Sequence, residues 1–160
     1  HTVIPFDPFG SDERQYCSLG FNLPVASLMR TRYGRYPEYH TSLDNKDFIS
    51  FESLENSLYI FSKIVDAFEK NRLWRSTVLF GEPHLSKRNI YPTAYVSKGS
   101  QEKFKFSLEE FKTMKWLLSY ADGQHDLLDI AERSQNKISE LATAAELLLS
   151  AGLLEKGASW

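Results

Sequence analysis

Apolar residues recur at mixed steps of three and four between residues 50 and 71. This spacing predicts an amphipathic helix with one broad buried face. Nearer the start of the chain, residues 23–30 form a mostly apolar run that predicts a buried strand. The apolar positions of the predicted helix are Phe51, Leu54, Leu58, Ile60, Phe61, Ile64, Val65 and Phe68.

Residues 1–71 as a whole predict part of an α/β domain. A second strand end is indicated at residues 3–6, and Ser11 or Asp12 is placed to cap a short helical turn that runs to Cys17. Two strands and one helix do not cover both faces of a parallel sheet, and the edges of such a sheet also need partners. We therefore expect a further part of the domain to pack against this segment.

Residues 72–103 are rich in proline, glycine and basic residues, and include the segment FGEPHLSKRNIYPT. Turn-forming Gly81, Pro83 and Pro92 leave little room for long regular elements. This stretch is therefore predicted to be a connector. We interpret His84 as part of a packed turn within it, with anion binding as the alternative.

Residues 104–160 predict three helices and a short strand. Ser107 and Glu110 have the spacing of a capping box, and the first helix is predicted to run from there to the Ala-Asp-Gly stop that ends at residue 123. A second helix is predicted over residues 125–133, and a third from residue 137 or 138 to 151, before a strand at 153–155. Leu141, Ala145, Leu148 and Leu149 are the predicted core positions of the third helix. This pattern resembles a winged helix-turn-helix unit.

Charge and composition restrict the possible partners. The formal net charge of −2 and the pI near 6.1 provide no general attraction to nucleic acid, and the predicted third helix carries Glu140 and Glu146. We therefore favour protein contact or intramolecular packing over DNA binding for this unit. Cys17 is the only cysteine and is interpreted as a packed thiol, which fits a reducing compartment, and we expect a cytoplasmic location. No apolar run reaches the roughly 20 residues that span a bilayer, so no membrane role is predicted.

Two short segments carry candidate site chemistry. His40 lies in EYHTSLDN with Asp44 four residues later, and an imidazole on such a loop is a candidate metal ligand, although a structural or surface histidine is the common alternative. The segment GSDERQY offers acceptors and donors suited to acid/base chemistry or to orienting a charged substrate group. A solvated helix start is the alternative for this second segment. Its candidate residues are Asp12, Glu13, Arg14 and Gln15.

These motifs occur in an order that resembles a known family. GSDERQYCSLGFN and YPEYHTSLDN are similar to the C-terminal part of co-catalytic zinc aminopeptidases of the three-layer α/β type, whose pattern is Ser-Asp-His, a Gly-x-Pro strand and Tyr-His-Thr-x-x-Asp. With GEP-L-KR--YPT and a terminal winged helix, the chain is more similar still to bacterial aminopeptidase-like proteins found among polysaccharide-biosynthesis genes. The resemblance covers nearly the whole chain.

The resemblance implies roles for individual residues. His40 is carried over as a zinc ligand, Asp44 as a residue that supports its loop, and Asp12 and Glu13 as pocket carboxylates, with Arg14 and Gln15 facing substrate. The classical motif has histidine where this chain has Glu13, so that part of the pocket chemistry does not transfer. The first histidine, the bridging aspartate and the general-base glutamate of the family lie upstream of the motifs present here. The catalytic residues of this chain are therefore unknown.

We expect an α/β chain that combines part of a three-layer aminopeptidase-like domain, over residues 1–71, with a small winged-helix domain, over residues 104–160. The implied function is that of the C-terminal portion of a zinc-dependent hydrolase that acts on a peptide-like or amide small molecule. Its implied partner is the upstream catalytic half of the same chain, and the possibility of a homo-oligomer is left open. The alternative is a non-catalytic winged-helix module that binds protein or DNA.

Overall fold

A computed structural model describes residues 2–90 and 106–157. The chain divides into two compact units, His1–Leu58 and Tyr59–Trp160. The predicted α/β class is confirmed in the form of several helices and one small antiparallel sheet. No helix in the described ranges is long and apolar enough to cross a membrane.

The first unit consists mainly of turns and extended segments around one short helix. Helix α1 spans Glu13–Tyr16, and Asp12 precedes it as predicted. The prediction of a buried strand over residues 23–30 is wrong, because these residues are exposed and pair with no strand in the described chain. An apolar run has the composition of a buried strand, but a strand also needs a neighbour for its backbone hydrogen bonds.

Helix α2 spans Phe51–Lys70, close to the predicted bounds of 50 and 71. The predicted burial of its apolar face is wrong for the part of the chain that the structure describes, since none of its residues is buried. Phe51 is 86% exposed and Leu58 is 68% exposed. The period of the sequence therefore predicts the helix correctly but not its burial.

The second unit is built around a three-stranded antiparallel sheet with the order β2-β1-β3. The central strand β1 comes from the stretch that was predicted to be a connector, and Leu85 and Ile90 from the same stretch are buried in the core. Its elements are β1 Leu73–Ser76, a short 3-10 helix Leu85–Arg88, α3 Leu108–Tyr120, β2 Asp122–Asp126, α4 Leu127–Ser134, α5 Ile138–Ser150 and β3 Leu154–Lys156.

The helix starts of this unit follow from side-chain caps. The predicted capping box is confirmed, because the Ser107 hydroxyl accepts from the Glu110 amide and the Glu110 carboxylate accepts from the Ser107 amide. The second helix begins at Leu127 rather than at His125, since Asp126 and Asp129 form a capping box there and His125 belongs to β2. Strand β2 itself was not predicted.

The core of the second unit joins all three major helices to the sheet. Three of the predicted core positions, Leu141, Ala145 and Leu148, are fully buried, and Leu149 is half-buried and packs against them. The largest fully buried side chains are Trp74, Ile90, Met114, Leu117, Leu127, Ile130, Leu141, Leu148 and Leu153. Burial of this apolar set is the main stabilising contribution to the unit.

Asn71 links the end of α2 to the start of α4. Its backbone amide donates to the carbonyl oxygens of Ala67 and Phe68, each at 3.0 Å, which terminates α2. Its side-chain amide donates to Asp126 Oδ2 at 2.9 Å, and its Oδ1 accepts from the Leu128 amide at 3.1 Å. Asn71 and Asp126 are both buried, so each polar group depends on the other for its hydrogen bond.

We predict that Asn71→Ala lowers the free energy of unfolding of the second unit by about 1–3 kcal/mol, because the substitution leaves the buried Asp126 oxygen and the Leu128 amide without their partner. Urea denaturation followed by tryptophan fluorescence measures this change, since all three tryptophans lie after residue 58. The exposed Gln124→Ala serves as the control and is expected to stay within about 0.5 kcal/mol of wild type. Equal midpoints for the two variants would show that the link is not stabilising.

Candidate functional site

The four predicted pocket residues lie at and around helix α1, and the structure separates them into two groups. Glu13 is half-buried, whereas Asp12, Arg14 and Gln15 are exposed. Cys17, four residues after Glu13, is the other half-buried residue of this turn. Since residues four apart lie on the same side of a helix, one face of α1 is turned toward the protein and the other toward solvent.

The carboxylate of Glu13 is held by several donors. Its Oε1 accepts from the Ser11 amide and its Oε2 accepts from the Ser27 hydroxyl, both at 2.9 Å. The backbone amides of Glu13 itself and of Ser11, followed by the Ser27 hydroxyl, hold the pKa of Glu13 below its ordinary value. Glu13 is therefore an ionised acceptor near neutral pH.

The thiol of Cys17 also contacts the residues that follow α1 in the chain. Its thiol lies 3.2 Å from the carbonyl oxygen of Leu23 and 3.4 Å from that of Val25, and donates toward both. Ser27, which donates to Glu13, is two residues further along. Alternate residues of an extended segment share one side, so positions 23, 25 and 27 meet α1 along one line.

A second carboxylate ties residues on either side of α1 together. Asp7 Oδ1 accepts from the Phe9 amide at 3.0 Å, and Asp7 Oδ2 forms an ion pair with Arg32. The Phe9 amide, followed by Arg32, keeps the pKa of Asp7 below its ordinary value, and the hydrogen bond to Asp7 raises the pKa of Arg32. Asp7 and Arg32 thus join the segment before α1 to the segment that follows residues 23–30.

His40 lies in a turn with its backbone in the left-handed region, at φ 59°. This conformation is uncommon for residues other than glycine, and asparagine, aspartate and histidine adopt it more often than the rest. The imidazole stacks on Tyr39 with ring centroids 4.0 Å apart. Neither of its ring nitrogens hydrogen-bonds within residues 2–90 and 106–157, and Asp44 is not joined to it. The ring is exposed, so both nitrogens are open to a ligand.

A zinc ion takes about four ligands, drawn from cysteine, histidine and carboxylate side chains. Among the described residues, no three such side chains come together in a way that could hold a metal ion. His40 therefore fits as one ligand, but this part of the chain does not form a metal site by itself. The roles assigned to His40 and Asp44 stay predictions.

Sequence reasoning did not identify the partners of Glu13. Ser27 lies 14 residues away along the chain, and no local motif connects it to α1. Only the folded chain brings these residues together, because hydrogen bonds between distant segments leave no periodic signal in the sequence.

We predict that acid weakens the contacts of Glu13 and Asp7. A carboxylate with a lowered pKa stabilises the folded state fully above its unfolded pKa, and this stabilisation is lost as the pH falls through the folded pKa. A ¹⁵N NMR titration of the Ser11 and Phe9 amides, which donate to these carboxylates, should show midpoints below the ordinary carboxyl range near pH 4. Midpoints at or above that range would contradict the hydrogen-bond geometry, and Glu13→Gln should abolish the Ser11 transition as a control.

Two family profiles divide the chain. A domain of unknown function, DUF4910, matches residues 1–71, and a winged helix-turn-helix family matches residues 72–156. The second match includes β1, which agrees with the position of this strand at the centre of the sheet.

Two relatives from Clostridium acetobutylicum match the chain over nearly its whole length. One carries the provisional name of a polysaccharide biosynthesis protein with an aminopeptidase-like domain, and is 39% identical over 153 residues, which are 96% of this chain and 33% of that protein. The other is a crystal structure of a provisionally named peptidase, with 36% identity and a TM-score of 0.75 over 94% of this chain and 31% of that chain. The chain thus spans about a third of the length of these relatives.

The resemblance in the motifs is confirmed by these relatives, and the winged helix-turn-helix profile alone accounts for more than half of the residues. Helices α3, α4 and α5 with the three-stranded sheet form the matching structure. This chain therefore belongs to the winged helix-turn-helix family through residues 72–156, joined to a segment that is similar to aminopeptidase-like polysaccharide biosynthesis proteins.

Proposed function

We propose that this chain is the C-terminal portion of a zinc-dependent, aminopeptidase-like hydrolase that acts in surface-polysaccharide biosynthesis. The observation that carries the proposal is the 39% identity, over 96% of the chain, to a protein that is provisionally named for polysaccharide biosynthesis and for an aminopeptidase-like domain. The structural match at TM-score 0.75 to a provisionally named peptidase supports the same reading. A peptide-like or amide small molecule is the proposed substrate class.

In this proposal His40 supplies one zinc ligand, and the upstream half of the protein supplies the others together with the general base. The exposed imidazole supports this role. Zinc, when bound in such a site, lowers the pKa of its water to about 7 and polarises a carbonyl group. The side chains that this chain adds near the substrate are Asp12, Arg14 and Gln15.

The exposed apolar surface supports the requirement for an upstream half. Large apolar side chains on α2 and in residues 1–58 are exposed, including Phe51, Phe21 and Phe68. So many exposed large apolar side chains are expected where a further part of the protein covers them. The chain spans only about a third of its relatives, so the remaining length is sufficient to supply that cover.

The cytoplasm is the compartment that we propose for this protein. Cys17 is the only cysteine of the chain, so these residues form no internal disulfide. A thiol without a disulfide partner fits a reducing environment.

The alternative proposal is a non-catalytic module that uses the winged helix to bind protein or DNA. Charge disfavours DNA, because α5 carries Glu140 and Glu146, and Lys156, which could offset them, pairs with Glu146 at 3.3 Å. Strand β3 pairs with β1, although β1 precedes α3 and β3 follows α5 in the sequence. These two paired strands are therefore not joined by a hairpin loop. Protein contact is thus the favoured form of this alternative.

We predict near-stoichiometric zinc in the longest natively expressed form of the protein, and loss of that zinc on His40→Asn. Asparagine tolerates the left-handed backbone of residue 40, so this variant removes the imidazole with less added strain than alanine would impose. Zinc per chain is measured by mass spectrometry of the metal after dialysis. His125→Asn removes a histidine from the second unit and should leave the ratio unchanged.

A wild-type protein that holds no zinc and hydrolyses no aminoacyl p-nitroanilide would overturn the hydrolase proposal. Retention of zinc in His40→Asn would overturn the ligand assignment alone. Duplex binding with a steep salt dependence in a gel-shift assay would instead support the DNA-binding form of the alternative.

A further inference from the structure

We propose that Glu13 is a positioning residue, whose carboxylate fixes residues 10–15 and thereby holds the exposed residues Asp12, Arg14 and Gln15 in place. The site role of those three residues rests on the proposed function, whereas the positioning itself does not. The inference begins from the fact that Glu13 is the one member of the four candidate residues whose side chain is engaged with the rest of the first unit.

The contacts of Glu13 join two separate parts of the chain. Through Oε1 it closes a short loop back to the Ser11 amide, and through Oε2 it reaches Ser27 in the extended segment. One side chain therefore sets both the internal shape of the loop and its position against Ser27.

Gly10 is part of the same arrangement. A Cβ atom at this position would overlap Oε1 of Glu13, so the space above Gly10 is occupied by the carboxylate. Its backbone amide also donates to the Asp7 carbonyl oxygen at 2.9 Å, which fixes the turn before α1. An added Cβ would therefore displace the Glu13 carboxylate from its position, and it would also lie 3.1 Å from the Asp7 carbonyl oxygen.

The other three candidate residues remain available. Asp12 precedes α1 without a side-chain capping bond, and the structure shows no side-chain hydrogen bond of Arg14 or Gln15 within residues 2–90 and 106–157. A binding group is effective only when the segment that carries it is held in place by supporting contacts. Glu13 provides that support from the opposite face of the same helical turn.

A direct proton-transfer role fits Glu13 less well. A general acid or base works best with a pKa near the operating pH, which for a glutamate requires a raised pKa. The hydrogen bonds of Glu13 instead lower its pKa below the ordinary value. Both carboxylate oxygens are also occupied by donors from the protein. The geometry thus favours a carboxylate that organises the loop over one that reacts.

The test uses Cys17 as an internal reporter, because it is the only cysteine and its thiol packs on the same face of α1 as Glu13. The rate at which a disulfide reagent modifies Cys17 is measured in the longest natively expressed form at pH 7, by mass spectrometry of the peptide that carries this cysteine. Glu13→Ala should raise this rate by about tenfold, because the substitution removes the stabilisation that roughly one hydrogen bond contributes. Asp12→Ala, which removes the neighbouring exposed carboxylate, is the matched control and should leave the rate unchanged.

Glu13→Gln separates positioning from proton transfer. Its amide oxygen can accept from Ser11 and its amide nitrogen can donate to Ser27, so the thiol rate should stay within about twofold of wild type. Gly10→Ala should reproduce the fast rate of Glu13→Ala although it keeps the carboxylate. In the double variant with Glu13→Ala, Gly10→Ala should raise the thiol rate little further, because the Glu13 side chain with which the added Cβ overlaps is then absent.

An unchanged thiol rate in Glu13→Ala, or equally fast rates in Glu13→Ala and Glu13→Gln, would overturn the positioning role. Hydrolysis of leucine p-nitroanilide by the longest natively expressed form gives a second reading, in which Glu13→Gln is expected to restore the activity lost in Glu13→Ala. If Glu13→Gln were as inactive as Glu13→Ala while its thiol stayed protected, Glu13 would be a reacting group and the proposal would be wrong. Absence of hydrolysis in the wild type would overturn the proposed function, with the thiol rates still deciding the positioning role.

Discussion

The pairing of β1 with strands on both sides is the contact on which the second unit depends. Strands β2 and β3 are short and come from distant parts of the chain, and both form their backbone hydrogen bonds to β1. The central strand also places Trp74 in the core against the helices, with 2% of its surface exposed. Without β1 the two outer strands would leave their amides and carbonyls unpaired, which is costly away from water.

This arrangement makes the segment after α2 part of the winged-helix unit rather than a tether to it. Asn71 ends α2 and binds the start of α4, and β1 begins only two residues later. A helix that is capped and a strand that is paired on both sides leave little freedom between them.

The first unit is organised by a different kind of contact. It has no buried apolar residue in the described chain, and its segments are joined by the carboxylates of Asp7 and Glu13 and by the thiol of Cys17. Exposed polar contacts contribute modestly to stability, so they position segments better than they hold a fold together. Such a unit is suited to completing a larger body whose apolar surface would cover α2.

Local sequence determined the helices of this protein, since periodicity and capping residues such as Ser107 and Glu110 act within one or two turns. It also determined the family resemblance and the candidate site residues, which are His40 and those of the GSDERQY segment. Only tertiary structure decided that residues 73–76 complete a sheet, that residues 23–30 pair with no strand, and that Glu13 faces inward while its neighbours do not. The reason is physical: helix hydrogen bonds join residues four apart, whereas strand pairing and the partners of a carboxylate come from positions that no local pattern specifies.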